Sequence, residues 1–173
     1  MGDFWVFGYG SLIWRPGFAH VETRRARLFG YRRSLCVYSF VHRGTRERPG
    51  LVLGLDRGGS CIGLAFRVPG ELRDEVLAYL RERELVTSVY LERMLDIRLD
   101  GGGMVEAVAY IVDRDHEQYA GALDARHAAK VVRGAVGQSG QNEDYVLSTL
   151  EHLKALGIRD HWLEEVARQV APS

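Results

Sequence analysis

Cysteine is scarce in this 173-residue chain, charge of one sign is not in excess, and long apolar runs are missing. The two cysteines, Cys36 and Cys61, each sit in an apolar, strand-like stretch, and neither has a spaced second Cys or His. That argues against a metal site and for two small buried thiols in a reducing compartment, with a disulfide between them as the alternative. With 23 basic and 23 acidic residues the formal net charge is zero, so no global field draws the chain to nucleic acid or to an anionic membrane. No apolar run approaches the about 18 residues that a membrane helix needs. No basic, cleavable leader precedes the first apolar segment, and the expectation is a soluble, cytoplasmic protein of one domain spanning residues 1–173.

Several chemical signatures are missing as well. Gly8-Tyr9-Gly10 is not followed by the third glycine or the acidic residue of a dinucleotide fingerprint, and no phosphate-loop lysine occurs. Ser11 is followed by Leu12 and Ile13, so there is no Gly-x-Ser-x-Gly elbow to make it a hydrolase nucleophile. His42 falls in a polar loop, and the other five histidines are scattered without ligand spacing.

What is present begins with Phe4-Trp5-Val6-Phe7, an apolar run that reads as a buried strand. It breaks into Gly8-Tyr9-Gly10-Ser11, where two glycines allow a tight turn with exposed amides and a hydroxyl follows. By itself this is also what any tight turn after a strand looks like. Residues 22–38 alternate arginine with apolar positions, predicting one long strand bent at Gly30, with Arg24, Arg25, Arg27, Arg32 and Arg33 mostly on its solvated side. Residues 51–55 and 61–68 predict two strands joined by a turn at 56–60. Leu72, Val76, Leu77 and Leu80 predict a helix over 71–83, followed by strands over 86–99 and 104–112 joined at Gly101-Gly102-Gly103. Helices are expected over 123–136, 142–156 and 160–170, with Gly137 and Gly157 as stops and Asn142 and Asp160 as caps. Strands first and helices last define an α+β chain rather than alternating βαβ units.

Two carboxylates stand out at the end of the first long helix, Glu82 and Glu84. Two residues apart, they point in different directions. A helix-terminal Glu among arginines is ordinarily a solvated ion-pair partner. It also opposes the helix dipole, a small energetic penalty that a functional role would explain.

Taken in order, Val6-Phe7-Gly8-Tyr9-Gly10-Ser11-Leu12-Ile13-Trp14, His42-Arg43-Gly44, Pro49-Gly50, Gly63-Leu64-Ala65-Phe66-Arg67, Tyr79-Leu80 with Arg83-Glu84, and Gly137-Gln138-Ser139-Gly140-Gln141-Asn142 with Tyr145 resemble the ChaC family of γ-glutamylcyclotransferases over nearly the whole chain. One departure is visible: Leu85-Val86-Thr87-Ser88 stands where the family has a glycine-containing turn. The resemblance implies a compact, β-barrel-like mixed sheet with flanking helices. It implies a reaction in which the substrate's α-amine attacks its own γ-carbonyl, so that glutathione gives 5-oxoproline and Cys-Gly. Glu84 would be the general acid and base. Val6, Phe7, Gly8, Tyr9, Gly10, Ser11 and Leu12 would form the substrate-binding segment. Tyr145 would either add a phenolic hydrogen bond or simply pack on the barrel. No metal and no cofactor is implied; the partner is a small γ-glutamyl molecule, with oligomeric state open. The alternatives are a cyclotransferase for other γ-glutamyl amino acids or γ-glutamylamines, and a non-catalytic binding module on the same fold. Residues 43–48 form a polar segment long enough to act as a lid.

Overall fold

The apolar run at the N-terminus is strand β1 (Phe4–Gly8) in a computed structural model that describes residues 2–171. One helical turn, α1 (Ser11–Trp14), follows at once, so the residues after the glycines form a turn of helix rather than only a loop. The chain then runs through β2 (Glu22–Ser39), β3 (Gly50–Val68), a 3-10 turn at Gly70–Leu72, α2 (Arg73–Glu84), β4 (Tyr90–Leu99) and β5 (Met104–Val112). It finishes with α3 (Ala125–Val132), the short strands β6 (Val136–Gly137) and β7 (Gly140–Gln141), α4 (Asn142–Ala155) and α5 (His161–Val170). This is the α+β layout expected, and among the described residues no helix is long and apolar enough to cross a membrane.

Contacts divide the chain into two units. One comprises the described residues through Arg33 together with Leu55–Asp113; the other comprises Ser34–Gly54 and the described residues from Arg114 onward. β2 and β3 each run from one unit into the other.

The first unit carries the barrel. Strand order is β1-β3-β2-β4-β5, closed by β1 returning to β5. β1 lies antiparallel to β3, with Val6 opposite Phe66 and Gly8 opposite Leu64, and parallel to β5, with Val6 opposite Val108. β4 and β5 form the expected hairpin, Tyr90 opposite Val112 down to Arg98 opposite Met104, turned by three glycines that all adopt positive φ. Val6, Phe7, Leu28, Phe66, Ile97 and Val108 are almost fully buried and fill this unit's interior. Val76, Leu77 and Leu80 are the buried face of α2.

Three expectations in this unit change. The turn foreseen at 56–60 is part of one continuous β3: Gly58 and Gly59 take positive φ inside the strand, and the side chain of Arg32 covers them, its Nη1 donating to the Arg57 carbonyl at 3.1 Å. The strand foreseen from residue 86 starts at Tyr90, because α2 closes in a turn in which the Ser88 amide reaches the Leu85 carbonyl. Ser88 holds φ at +62°, the only non-glycine among the described residues to do so, at a conformational penalty of about 1–2 kcal/mol. Third, Arg33 is buried rather than solvated. Past Gly30 the strand is covered on both faces, and Arg33, Ser34, Leu35, Cys36 and Val37 are all buried in succession.

In the second unit α5 packs against α3 and α4. Asn142 is fully buried and does not cap α4, whose N-cap position is Gln141. Its amide pairs with Leu51 as a neighbouring strand would, Oδ1 accepting from the Leu51 N–H at 2.8 Å and Nδ2 donating to the Leu51 carbonyl at 2.9 Å. α3 is shorter than expected. It stops at Val132 because Arg133 leaves the helical region and Gly134 turns with φ +76°, and Gly137 belongs to β6. Asp160 caps α5 through the Leu163 N–H, and Gly157 ends α4 as expected.

One glycine of the barrel is required by close approach. A Cβ on Gly63 would lie 2.2 Å from the carbonyl oxygen of Gly8 and 2.9 Å from Phe7 Cζ. Gly63→Ala therefore forces β3 away from the end of β1 and is expected to lower the unfolding free energy by about 1–3 kcal/mol. Urea denaturation checks this; an unchanged midpoint with an unchanged slope contradicts the close approach.

Candidate active site

The loop between β1 and α1 is fastened from behind. Gly8 ends β1 in register with Leu64, and a Cβ on it would come within 3.1 Å of Leu12 Cβ, so α1 folds directly back over the strand end. Behind the next residue lies the buried guanidinium of Arg33. Its Nε donates to the Tyr9 carbonyl at 2.6 Å and its Nη2 to the Ile62 carbonyl at 2.7 Å. The Tyr9–Gly10 peptide is trans, so its N–H is directed opposite to its carbonyl. With the carbonyl held by Arg33, the Gly10 N–H is turned to the other side of the loop.

α2 delivers the carboxylate. Glu84 is its last residue, and its side chain keeps only 16% of its exposure. Burial pushes its pKa above the ordinary carboxylate value, and the neighbouring Arg83, with Nε 3.6 Å from Oε1, offsets this only in part. Arg83 also reaches the loop. Its Nη2 donates to Ser11 Oγ at 2.9 Å, and its Nη1 donates to the carbonyls of Arg15 at 2.5 Å and Pro16 at 3.2 Å. One guanidinium thus joins the loop hydroxyl to the carboxylate.

Another carboxylate of this unit is in the opposite state. Glu92 takes a two-pronged ion pair from Arg81, both bonds 3.0 Å, and a hydrogen bond from the Tyr110 hydroxyl at 2.8 Å. Arg81 holds its pKa below the ordinary value, while burial, followed by Glu92, pushes the Tyr110 phenol up. The pKa of Glu92 is lowered by fixed partners, whereas that of Glu84 is raised by burial. That separation is how acid–base sites assign roles to similar groups. Glu82 is exposed.

Of the expected binding segment, Val6, Phe7, Gly8, Tyr9, Gly10 and Leu12 are buried and Ser11 is exposed. Val6 and Phe7 have no exposed side-chain surface; they place the loop. The loop and Glu84 come together in the first unit. Tyr145 belongs to the second unit, where its hydroxyl accepts from the Leu53 N–H at 3.0 Å and the Arg43 guanidinium lies 5.5 Å from its ring centre. Residues 43–48 are tied down within that unit: Thr45 and Arg48 bond each other, Arg48 donates to the Arg133 carbonyl, and Arg43 donates to the Gln141 carbonyl. His42 Nδ1 lies 3.0 Å from Ser139 Oγ. Both cysteines are buried and neither forms a disulfide among the described residues. No group of three or more His, Cys, Asp or Glu side chains suited to a metal ion occurs among the described residues.

Arg33 and Arg83 are the two site residues that local sequence does not announce. For Arg33 a signal exists in the unbroken Leu35-Cys36-Val37 run after it, which implies a strand covered on both faces. Arg83 has none beyond its place next to Glu84.

In the first unit, a glycine–serine loop at the end of β1 and a half-buried carboxylate at the end of α2 share one guanidinium neighbour, Arg83. The chain belongs to the ChaC-like family, whose model matches residues 4–173. A glutathione-specific gamma-glutamylcyclotransferase from Escherichia coli (strain K12) is 35% identical over 165 residues, covering 95% of this chain and 71% of that protein. Gamma-glutamylcyclotransferase 2-3 of Arabidopsis thaliana is 34% identical over 174 residues, covering 96% of this chain and 87% of that protein. A crystal structure of a yeast gamma-glutamyl cyclotransferase specific to glutathione superposes with a TM-score of 0.86 at 24% identity over 98% of this chain and 96% of that one, a likeness that carries the fold.

The raised pKa of Glu84 has a consequence for stability. A carboxyl whose folded pKa lies above its unfolded value favours folding fully at pH below the unfolded value, and that contribution is lost as pH rises through the folded one. Glu84→Gln removes the buried charge and is expected to melt at a higher temperature than the parent at pH 7, with the difference shrinking below the ordinary carboxylate range. Scanning calorimetry at pH 7 and pH 4 measures it; no difference at pH 7 means that Glu84 is not desolvated.

Proposed function

We propose that this chain is a glutathione-specific γ-glutamylcyclotransferase, a lyase that cleaves the γ-glutamyl amide of glutathione by cyclisation, with Glu84 as its acid and base. The observation that carries the reading is Glu84 itself: a desolvated carboxylate, joined through Arg83 to the loop hydroxyl, in a chain of this family. Relatives that cover most of the chain are named for this activity.

The reaction asks little of the protein beyond shape and proton transfer. Nucleophile and electrophile lie in the same molecule, so folding the γ-glutamyl chain into a near-attack shape supplies much of the rate. The α-ammonium gives a proton to Glu84, and the freed amine attacks the γ-carbonyl carbon, forming the ring C–N bond. As the tetrahedral centre collapses the amide C–N bond breaks, Glu84 returns its proton to the departing nitrogen, and the second proton lost by the ring nitrogen passes by the same carboxylate to the departing amine, which leaves as an ammonium. The products are 5-oxoproline and Cys-Gly. No covalent bond to the enzyme forms, and neither a metal nor a cofactor takes part. The pKa of a base doing this work has to lie nearer neutrality than that of an exposed glutamate, and burial moves Glu84 in that direction.

The loop Gly8-Tyr9-Gly10-Ser11 holds the α-carboxylate or the γ-carbonyl oxygen through backbone N–H groups and the Ser11 hydroxyl. Val6, Phe7 and Leu12 set its position. We read the chain as one catalytic domain, since β2 and β3 run through both units, and place it in the cytoplasm, where its two buried thiols stay reduced.

Purified protein is incubated with glutathione and with a panel of γ-glutamyl dipeptides and γ-glutamylamines, and 5-oxoproline is quantified. Release from glutathione alone is expected. Release only from the other compounds replaces the substrate, and release from none leaves a binding module. Glu84→Gln is expected to lower kcat/KM about 10²–10⁴-fold with the fold retained. In the parent, kcat/KM falls as acid protonates Glu84, with the midpoint above the ordinary carboxylate range. A midpoint at or below that range assigns the base elsewhere.

A further inference from the structure

We propose that Arg83 is a positioning residue that biases the Ser11 hydroxyl toward hydrogen-bond donation, so that the loop favours an oxygen acceptor of the substrate at this point. The proposal rests on the cyclotransferase reading and specifies what that site recognises.

A guanidinium has five N–H donors and no acceptor. Where Arg83 Nη2 meets Ser11 Oγ at 2.9 Å, Arg83 gives the proton and Ser11 accepts. The hydroxyl has a single proton of its own, which must leave the oxygen in another direction. Ser11 is the exposed member of an otherwise buried segment, so that direction is open to a ligand. A serine that was free to rotate would accept from a substrate N–H as readily as it donates to a substrate oxygen. With one lone pair taken by a cation, donation is the favoured role, and the adjacent charge strengthens it.

The guanidinium is not free to release the hydroxyl. Its side chain is only 20% exposed, and Nη1 is anchored on the carbonyls of Arg15 and Pro16 and lies 3.1 Å from the Tyr79 hydroxyl. That hydroxyl rests against Gly17, where a Cβ would come within 2.0 Å of it and where φ is +73°. The turn at residues 15–17 is therefore shaped to admit Tyr79 and to present two carbonyls to Arg83. Lysine does not replace this: a single ammonium cannot span two carbonyls and a hydroxyl with the planar fork of arginine. The consequence is selectivity for the α-carboxylate or the developing γ-oxyanion, and against the α-amine, which is left for Glu84. One residue thereby sorts the two ends of the γ-glutamyl head group.

The test is a double-mutant cycle on glutathione binding, in a Glu84→Gln background in which turnover is slowed, by titration calorimetry, with fold checked by circular dichroism at the assay temperature and release of 5-oxoproline during the titration measured as a control. Ser11→Ala is expected to weaken binding about tenfold. Arg83→Lys weakens it about tenfold when Ser11 is present and less than threefold when Ser11 is already alanine, because its main effect passes through that hydroxyl. Arg83→Met takes its place in the cycle if Arg83→Lys does not fold. Losses that multiply across the cycle overturn the proposal. So does unchanged affinity in Ser11→Ala, a result that needs no Arg83 variant. Ser11→Thr, which keeps the hydroxyl, should retain affinity within about threefold, and a loss equal to that of alanine counts against a donor role. The functional reading is judged separately: a parent protein that releases no 5-oxoproline from glutathione overturns that reading, whereas a multiplicative cycle in an active enzyme overturns only the role of Arg83.

Discussion

β1 is hydrogen-bonded along both edges, antiparallel to β3 and parallel to β5, and the rest of the first unit depends on that double pairing. It closes the barrel with a strand of only five residues. It also makes the end of that strand a fixed point from which the loop projects. The tolerance at this point is small. Gly63 has to lack a side chain for β3 to pass the Gly8 carbonyl, and a Cβ on Gly8 would crowd Leu12 and Phe66 at 3.1 and 3.3 Å. A glycine-rich loop is often read as a flexible one. Here the glycines let backbone and side chains come close, and closeness is what immobilises them.

Charge inside this unit is arranged by the same economy. Arg33, buried, donates to two backbone carbonyls, those of Tyr9 and Ile62. Arg81 and Tyr110 fix Glu92 as an anion, and Arg83 stands next to Glu84 without giving it a close bond. The contrast is one of geometry. A 3.0 Å two-pronged pair holds a carboxylate ionised, whereas a 3.6 Å approach leaves burial as the larger effect. The second unit solves its own burial problem with Asn142, whose side-chain amide replaces a missing strand neighbour beside Leu51.

Much of the fold is legible in the sequence because it is local. The bend at Gly30, the triple-glycine hairpin, the apolar face of α2 and the Asp160 cap all follow from residues within one turn or one strand of each other. What is not legible depends on distant partners. Asp56-Arg57-Gly58-Gly59-Ser60 has the composition of a turn, and only the Arg32 side chain over its glycines decides that β3 continues. Asn142 has the chemistry of a cap, and only Leu51, 91 positions away, shows that it is a ladder rung. In the site, the glycine loop and Glu84 are legible through the family motifs, and the energetic oddity of a carboxylate at a helix C-terminus agrees with them. The contacts of the two arginines are not, because arginine is ordinarily a surface residue and these partners lie 24, 29 and 72 positions away.

Under the proposed function, the fastening of the Tyr9–Gly10 peptide bears on the thermodynamics of recognition. A mobile loop gives up conformational entropy when it closes on a ligand, and part of every contact it makes goes to ordering it. Here that entropy is surrendered during folding, through Arg33 behind the loop and Arg83 at its far side. A small, charged, highly hydrated head group gains little from apolar burial. A receptor for it has most to gain from being rigid before the ligand arrives, and this chain reaches that rigidity with two guanidinium groups in the place of a larger apolar surface.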